Sequence, residues 1–98
     1  MSYDLRVIGA PLTSVWEGLG GAGEDELLWT RGDLAAQCLL TPGEIGVGVV
    51  GDGAREFEEL LREVLRLADG VGARVHDPQF GRDIGPADVP AVVEFFAS

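Results

Sequence analysis

Apolar residues recur along this chain in two rhythms, every second position and every third or fourth, and the changes of rhythm mark out its elements. Tyr3 to Gly9 alternates, with Leu5 and Val7 on one side and Arg6 and Ile8 on the other, and breaks at Gly9-Ala10-Pro11; this predicts a first strand. Leu34 to Leu40 and Ile45 to Val50 alternate too. Thr41-Pro42-Gly43-Glu44 joins them, and Pro-Gly suits the two central positions of a type II turn, so the pair predicts a hairpin. Leu27 to Thr30 is a short apolar run ahead of Arg31-Gly32-Asp33, which has turn composition. Ala73 to Asp77 predicts a last strand, stopped by Pro78, which also holds Asp77 extended.

Between the hairpin and that strand the rhythm is helical. Over 54–69, Phe57, Leu60, Leu61, Val64, Leu65 and Ala68 fall on one face, and Glu58 and Arg62 stand four apart on the other in the favourable order. Asp52 or Gly53 can cap this long helix and Gly70 can end it. Val89, Val92, Val93 and Phe96 form a second stripe after Pro86 and Pro90, predicting a short C-terminal helix over 87–97 with Gly85 or Asp88 as cap. Pro11 to Glu26 carries a weaker pattern: one or two helical turns with Thr13 or Ser14 as cap, a Gly20–Gly23 loop, and Glu24-Asp25-Glu26 as a solvated edge.

Strand, short helix, two or three strands, long helix, strand, short helix is the order of an α+β domain. It fits a ferredoxin-like antiparallel sheet of about four or five strands, with helices on one face and the other face open. Residues 1–98 are expected to form one domain. The alternation sends Leu5, Val7, Cys38, Leu40, Val47, Val49 and Val75 toward the helices. It leaves Arg6, Ile8, Gln37, Leu39, Gly46, Gly48, Arg74 and His76 on the open face, where two glycines in one strand would let a ligand or a second backbone approach.

Charge narrows the functional classes. The chain has seven Arg, no Lys and seventeen acidic residues, for a net charge of −10. Phosphate backbones and anionic membranes repel such a surface, so nucleic acid and membrane are not expected partners. A basic protein suits it; acidity that merely keeps a small domain soluble is the plainer alternative. Cys38 is the only cysteine, the first residues lack a signal-peptide pattern, and no run is long enough to span a membrane, so a cytoplasmic location is expected.

Candidate chemistry is sparse. Gly46-Val47-Gly48-Val49-Val50-Gly51 matches the dinucleotide-binding fingerprint letter for letter, but its glycines fall inside a strand rather than in the turn after one. One His and one Cys cannot build a zinc site, and Glu24, Asp25 and Glu26 lack the spacing of a calcium loop. Cys38 lies in an apolar strand and reads as a core residue. His76 and Asp77 are adjacent on a strand and point to opposite faces, so they are no dyad. No catalytic residue, metal or cofactor is expected, and a non-catalytic role is favoured.

Two short stretches, Ser2-Tyr3-Asp4-Leu5 and Val75-His76-Asp77-Pro78-Gln79, resemble a group of small bacterial proteins that begin with a Ser-Tyr/Phe-Asp-Leu strand and carry a Tyr-Asp-Pro-Gln segment near the end. Here His76 replaces the aromatic residue. Some of that group are suspected immunity proteins of toxin systems, and the resemblance supplies no catalytic residue. It implies an immunity-type inhibitor of a basic toxin or nuclease, with Trp16, Glu17, Glu24, Asp25 and Glu26 as the first expected partner contacts. The alternative is a small-molecule-binding or weakly catalytic domain, a homodimer through its open sheet face, with a pocket between sheet and helices near Arg74 and His76.

Overall fold

The computed structural model describes residues 2–98. Along the chain run β1 (Ser2–Ile8), α1 (Thr13–Gly18), β2 (Glu26–Arg31), β3 (Leu34–Thr41), β4 (Glu44–Gly51), α2 (Ala54–Gly70), β5 (Arg74–Asp77), β6 (Arg82–Ile84), a 3-10 turn (Pro86–Asp88) and α3 (Val89–Ala97). The six strands form one sheet in the order β2-β3-β4-β1-β5-β6, with every neighbouring pair antiparallel. β4 and β5 flank β1 and so run parallel to each other, and α2 carries the chain between them.

The sheet has six strands, more than the four or five the sequence suggests. The addition is β6, whose three residues are too few to show an alternation. A turn creates it: Gly81 takes φ +69° and its N–H donates to the Asp77 carbonyl at 2.8 Å. The reversal sets Asp83 opposite His76 and Ile84 opposite Val75.

α2 forms because its apolar stripe has a sheet to cover. Phe57, Leu60, Leu61, Val64, Leu65 and Ala68 are all buried, against Leu5, Val7, Val47, Val49 and Val75 of the same core. Each large side chain stabilises the fold by about 1.5–3 kcal/mol through burial, and truncating Leu60 to Ala would cost about 2–5 kcal/mol. Among the described residues no side chain caps its start; the Gly53 carbonyl accepts from the Phe57 N–H at 2.9 Å. Gly70 is its last helical residue. The left-handed conformation that turns the chain belongs to Gly72, with φ +70°, and the Ala73 N–H returns to the Ala68 carbonyl at 2.9 Å. α3 stacks Phe96 on Phe57 with 4.1 Å between ring centroids.

The segment from Pro11 to Glu26 is more built than its pattern suggests. α1 buries Val15 and Trp16, and Leu12 and Leu19 close around them. Trp16 is 3% exposed, its indole N–H donates to the Glu24 carbonyl at 3.0 Å, and a Cβ on Gly21 would lie 2.2 Å from its ring nitrogen. Trp16, expected as a partner contact, is buried: its ring fills the core under the Gly20–Gly23 loop, and only glycine at position 21 leaves it room.

Candidate functional site

The helices cover one face of the sheet, and the register writes out the other. One cross-strand row reads Glu26, Leu39, Gly46, Arg6, His76, Asp83 from edge to edge. The adjacent row reads Leu28, Gln37, Gly48, Asp4, and the next sets Ala35 beside Val50 and Ser2. The face is thus divided. Its β2-β3-β4 half carries Leu28, Leu39 and Val50, which are 67%, 43% and 52% exposed. Its β1-β5-β6 half carries Asp4, Arg6, Arg74, His76 and Asp83.

Glycine shapes the ground between the halves. Among the described residues nothing lies within 4 Å of a Cβ built on Gly46, and one on Gly48 would make only ordinary contact with Asp4 and Gln37. A shallow concavity of about 510 Å³ results, floored by Gly46 and Gly48 and edged by Arg6, Gln37, Leu39 and Val50. These glycines sit within β4, so the dinucleotide fingerprint they spell has no phosphate-binding turn behind it.

At the charged end, the Asp83 carboxylate accepts from Arg74 at 3.2 Å and lies 3.1 Å from His76 Nδ1. The hydrogen bond from His76, helped by the Arg74 charge, holds the Asp83 carboxyl below the usual carboxylate range. Arg74 and His76 therefore lie on the open face. Between sheet and helices a concavity of about 210 Å³ opens where α2 meets β5 and β6, lined by Leu65, Ala68, Arg74, Val75, Asp83 and Ile84; it takes in Arg74 but not His76. His76 does have an acidic companion, but it is Asp83 on the strand the sequence left unread, not Asp77.

Asp77 points inward and is fully buried. Its carboxylate accepts the Tyr3 hydroxyl at 2.5 Å, the Gln79 and Phe80 backbone N–H groups at 2.9 and 3.1 Å, and the Gln79 side-chain amide at 2.7 Å. Burial first, then the bond to Asp77, pushes the Tyr3 phenol far above its ordinary value. Cys38 is fully buried on the helix side, and burial pushes its thiol up to about 11, so it is no nucleophile at neutral pH. Among the described residues, no three His, Cys, Asp or Glu side chains are placed to hold a metal ion. No helix of the described residues is long and apolar enough to cross a membrane.

The acidic positions expected as contacts are dispersed. Glu17 is exposed on α1, and Glu24 accepts the Ala22 N–H at 2.6 Å. Asp25 is exposed, with its carbonyl bonded to the Leu40 N–H at 2.8 Å. Glu26 stands on the open face in line with Leu39. Only Glu26 thus shares a surface with the exposed apolar residues. Sequence reasoning passed over Leu28 and Val50; the signal was their place on the open-face rows that contain Gln37 and Ser2, legible once the hairpin register is known. Comparison with protein families, with curated proteins and with solved structures gives no match.

Proposed function

We propose that this chain is a protein-interaction domain whose uncovered sheet face receives a basic protein partner. The observation that carries the reading is the exposed trio of Leu28, Leu39 and Val50 beside the glycine-floored concavity. A small apolar area with a polar rim is what a docking surface requires. Charge selects the partner's sign. Arg31, Arg62, Arg66, Arg74 and Arg82 are each tied to a carboxylate of the same chain, so the excess of acids over bases faces outward. Such a field speeds encounter with a basic surface and weakens with salt.

An immunity-type inhibitor that occludes a basic toxin or nuclease in the cytoplasm is the form this takes, in line with the resemblance at the two ends of the chain. The strand order β5-β1-β4-β3 within the sheet supports a ferredoxin-like frame, with β2 and β6 added at its edges. The test is capture from the protein's own host at low and at high salt, comparing wild type with Leu39→Arg/Val50→Arg. A single basic protein held by wild type, released by salt and missed by the double variant is the expected result. The same protein held equally by the double variant would overturn the reading.

One observation favours a second reading, a small anionic ligand at the charged half. Arg6 forms no ion pair among the described residues, and it pairs across the strands with His76, whose ring Asp83 orients. A carboxylate or phosphate against Arg6 and His76 would perturb the His76 ring resonances, and Arg6→Ala would abolish the perturbation. Unchanged resonances at millimolar phosphate and citrate would remove this reading.

A further inference from the structure

β2 is an edge strand, bonded on one side only, to β3. The Leu40 N–H donates to the Asp25 carbonyl, which fixes the phase of the ladder: Asp25, Leu27, Trp29 and Arg31 bond toward β3, and the backbone groups of Glu26, Leu28 and Thr30 point outward. No hydrogen bond from the described residues reaches those outward groups beyond the sheet. Proteins blunt such edges with Lys, Pro, a bulge or a very short strand. The opposite edge, β6, is three residues long. β2 has six residues, neither Lys nor Pro, and an unbroken register with β3.

We propose that two copies of this chain join through β2 into one continuous antiparallel sheet. A two-fold axis perpendicular to the sheet keeps every side chain on its own face, so only positions of like parity can pair. Centring the axis on Leu28 uses all the outward groups: Leu28 meets Leu28 of the second copy, and Glu26 meets Thr30 of the second copy. The same register sets Leu27 beside Trp29 of the second copy, and Asp25 directly across from Arg31 of the second copy, twice in each dimer.

Every cross-strand pair is then apolar with apolar, acid with base, or acid with hydroxyl. Leu28, 67% exposed, would be covered at the centre. Arg31 is half exposed, held by Glu59 at 2.6 Å and lying over the Trp29 ring, at the end of this edge strand. The dimer takes Leu28 out of the surface offered to a partner but leaves Leu39, Val50 and the concavity over Gly46 and Gly48 open in each copy.

Sedimentation equilibrium tests the proposal, at 0.15 M salt, where a Debye length of about 8 Å screens the repulsion of two copies of charge −10. Wild type is expected at about twice 10.4 kDa. Asp25→Arg sets Arg against Arg31 of the second copy and should weaken the dimer by about tenfold or more, and adding Arg31→Asp should restore it. Leu28→Lys, which places two charges on the axis, should give monomer with an unchanged circular dichroism spectrum. A wild type that stays monomeric at about 100 μM, or a dimer indifferent to both Asp25→Arg and Leu28→Lys, would overturn the proposal.

Discussion

Tyr3 in the first strand and Asp77 at the end of the fifth, seventy-four residues apart, share a buried hydrogen bond in which the phenol donates to the carboxylate at 2.5 Å. Gln79 completes the junction. Its side-chain amide accepts the Asp4 N–H at 2.9 Å and donates to the Asp4 carbonyl at 2.8 Å. Asp4 would continue the ladder to Pro78, which has no N–H to give; the Gln79 carboxamide stands in for the missing peptide group. The stretches Ser2–Leu5 and Val75–Gln79 thus meet at one place, where they fasten β5 to β1.

Removing one partner leaves the other buried and unpaired. Tyr3→Phe should cost about 1–3 kcal/mol, and Gln79→Ala about 1 kcal/mol, read as lower urea midpoints at unchanged slope. The two should not add, because both groups serve the same Asp77 carboxylate.

Tyr3 is the only tyrosine, so phenolate absorbance at 295 nm reports on it alone. Its pKa is raised in the fold, so this contribution to stability is complete below the ordinary phenol value of about 10 and is lost as pH rises past it. Native protein at about pH 11 should show almost no phenolate, and urea should release the full signal. Titration near pH 10 in the folded state would contradict the buried junction.

The glycines divide into those the fold requires and those the face can spare. Gly21→Ala would drive a methyl into the Trp16 ring and should cost about 1–3 kcal/mol or more. Gly46→Ala meets nothing and should leave stability within about 0.5 kcal/mol while partly filling the concavity. Thermal melts of the two variants, with partner affinity for the second, check both statements.

Asp83 has its pKa depressed by His76 and Arg74. Its contribution is present above the ordinary carboxylate value and disappears as pH falls through the depressed one. In a carbon-detected titration, His76→Ala and Arg74→Ala should each move the Asp83 midpoint upward, toward the ordinary value.

Cys38 should resist Ellman's reagent at pH 8 in the native state and react at once in urea, since the thiol is buried and its pKa is about 11. Prompt native reaction would mean that β3 opens toward solvent.

The helices and the central hairpin were legible because their apolar positions repeat often enough to set a phase. The stripe from Phe57 to Ala68 names its own buried face, and Pro42-Gly43 names its turn, with Gly43 at φ +80°. β6 was not legible: its three residues are too few to show an alternation, and it forms only by pairing with β5 across the turn at Gly81. The burial of Trp16 was hidden for a similar reason, since it depends on Gly21 standing aside. The open face could be divided from the covered one by alternation alone. Its apolar half could not, because Leu28 and Val50 become neighbours of Leu39 and Gly48 only through the pairing of three strands.

The central claim is that the apolar half of the open face is where a partner sits. A photo-crosslinking residue, p-benzoylphenylalanine, placed at Leu39 in one protein and at Ala91 on the exposed side of α3 in another, tests it inside the host cell. An adduct with one basic protein from position 39, and none from position 91, is the predicted result. Adducts from position 91 with none from position 39 would put the binding surface on the helices and contradict the account.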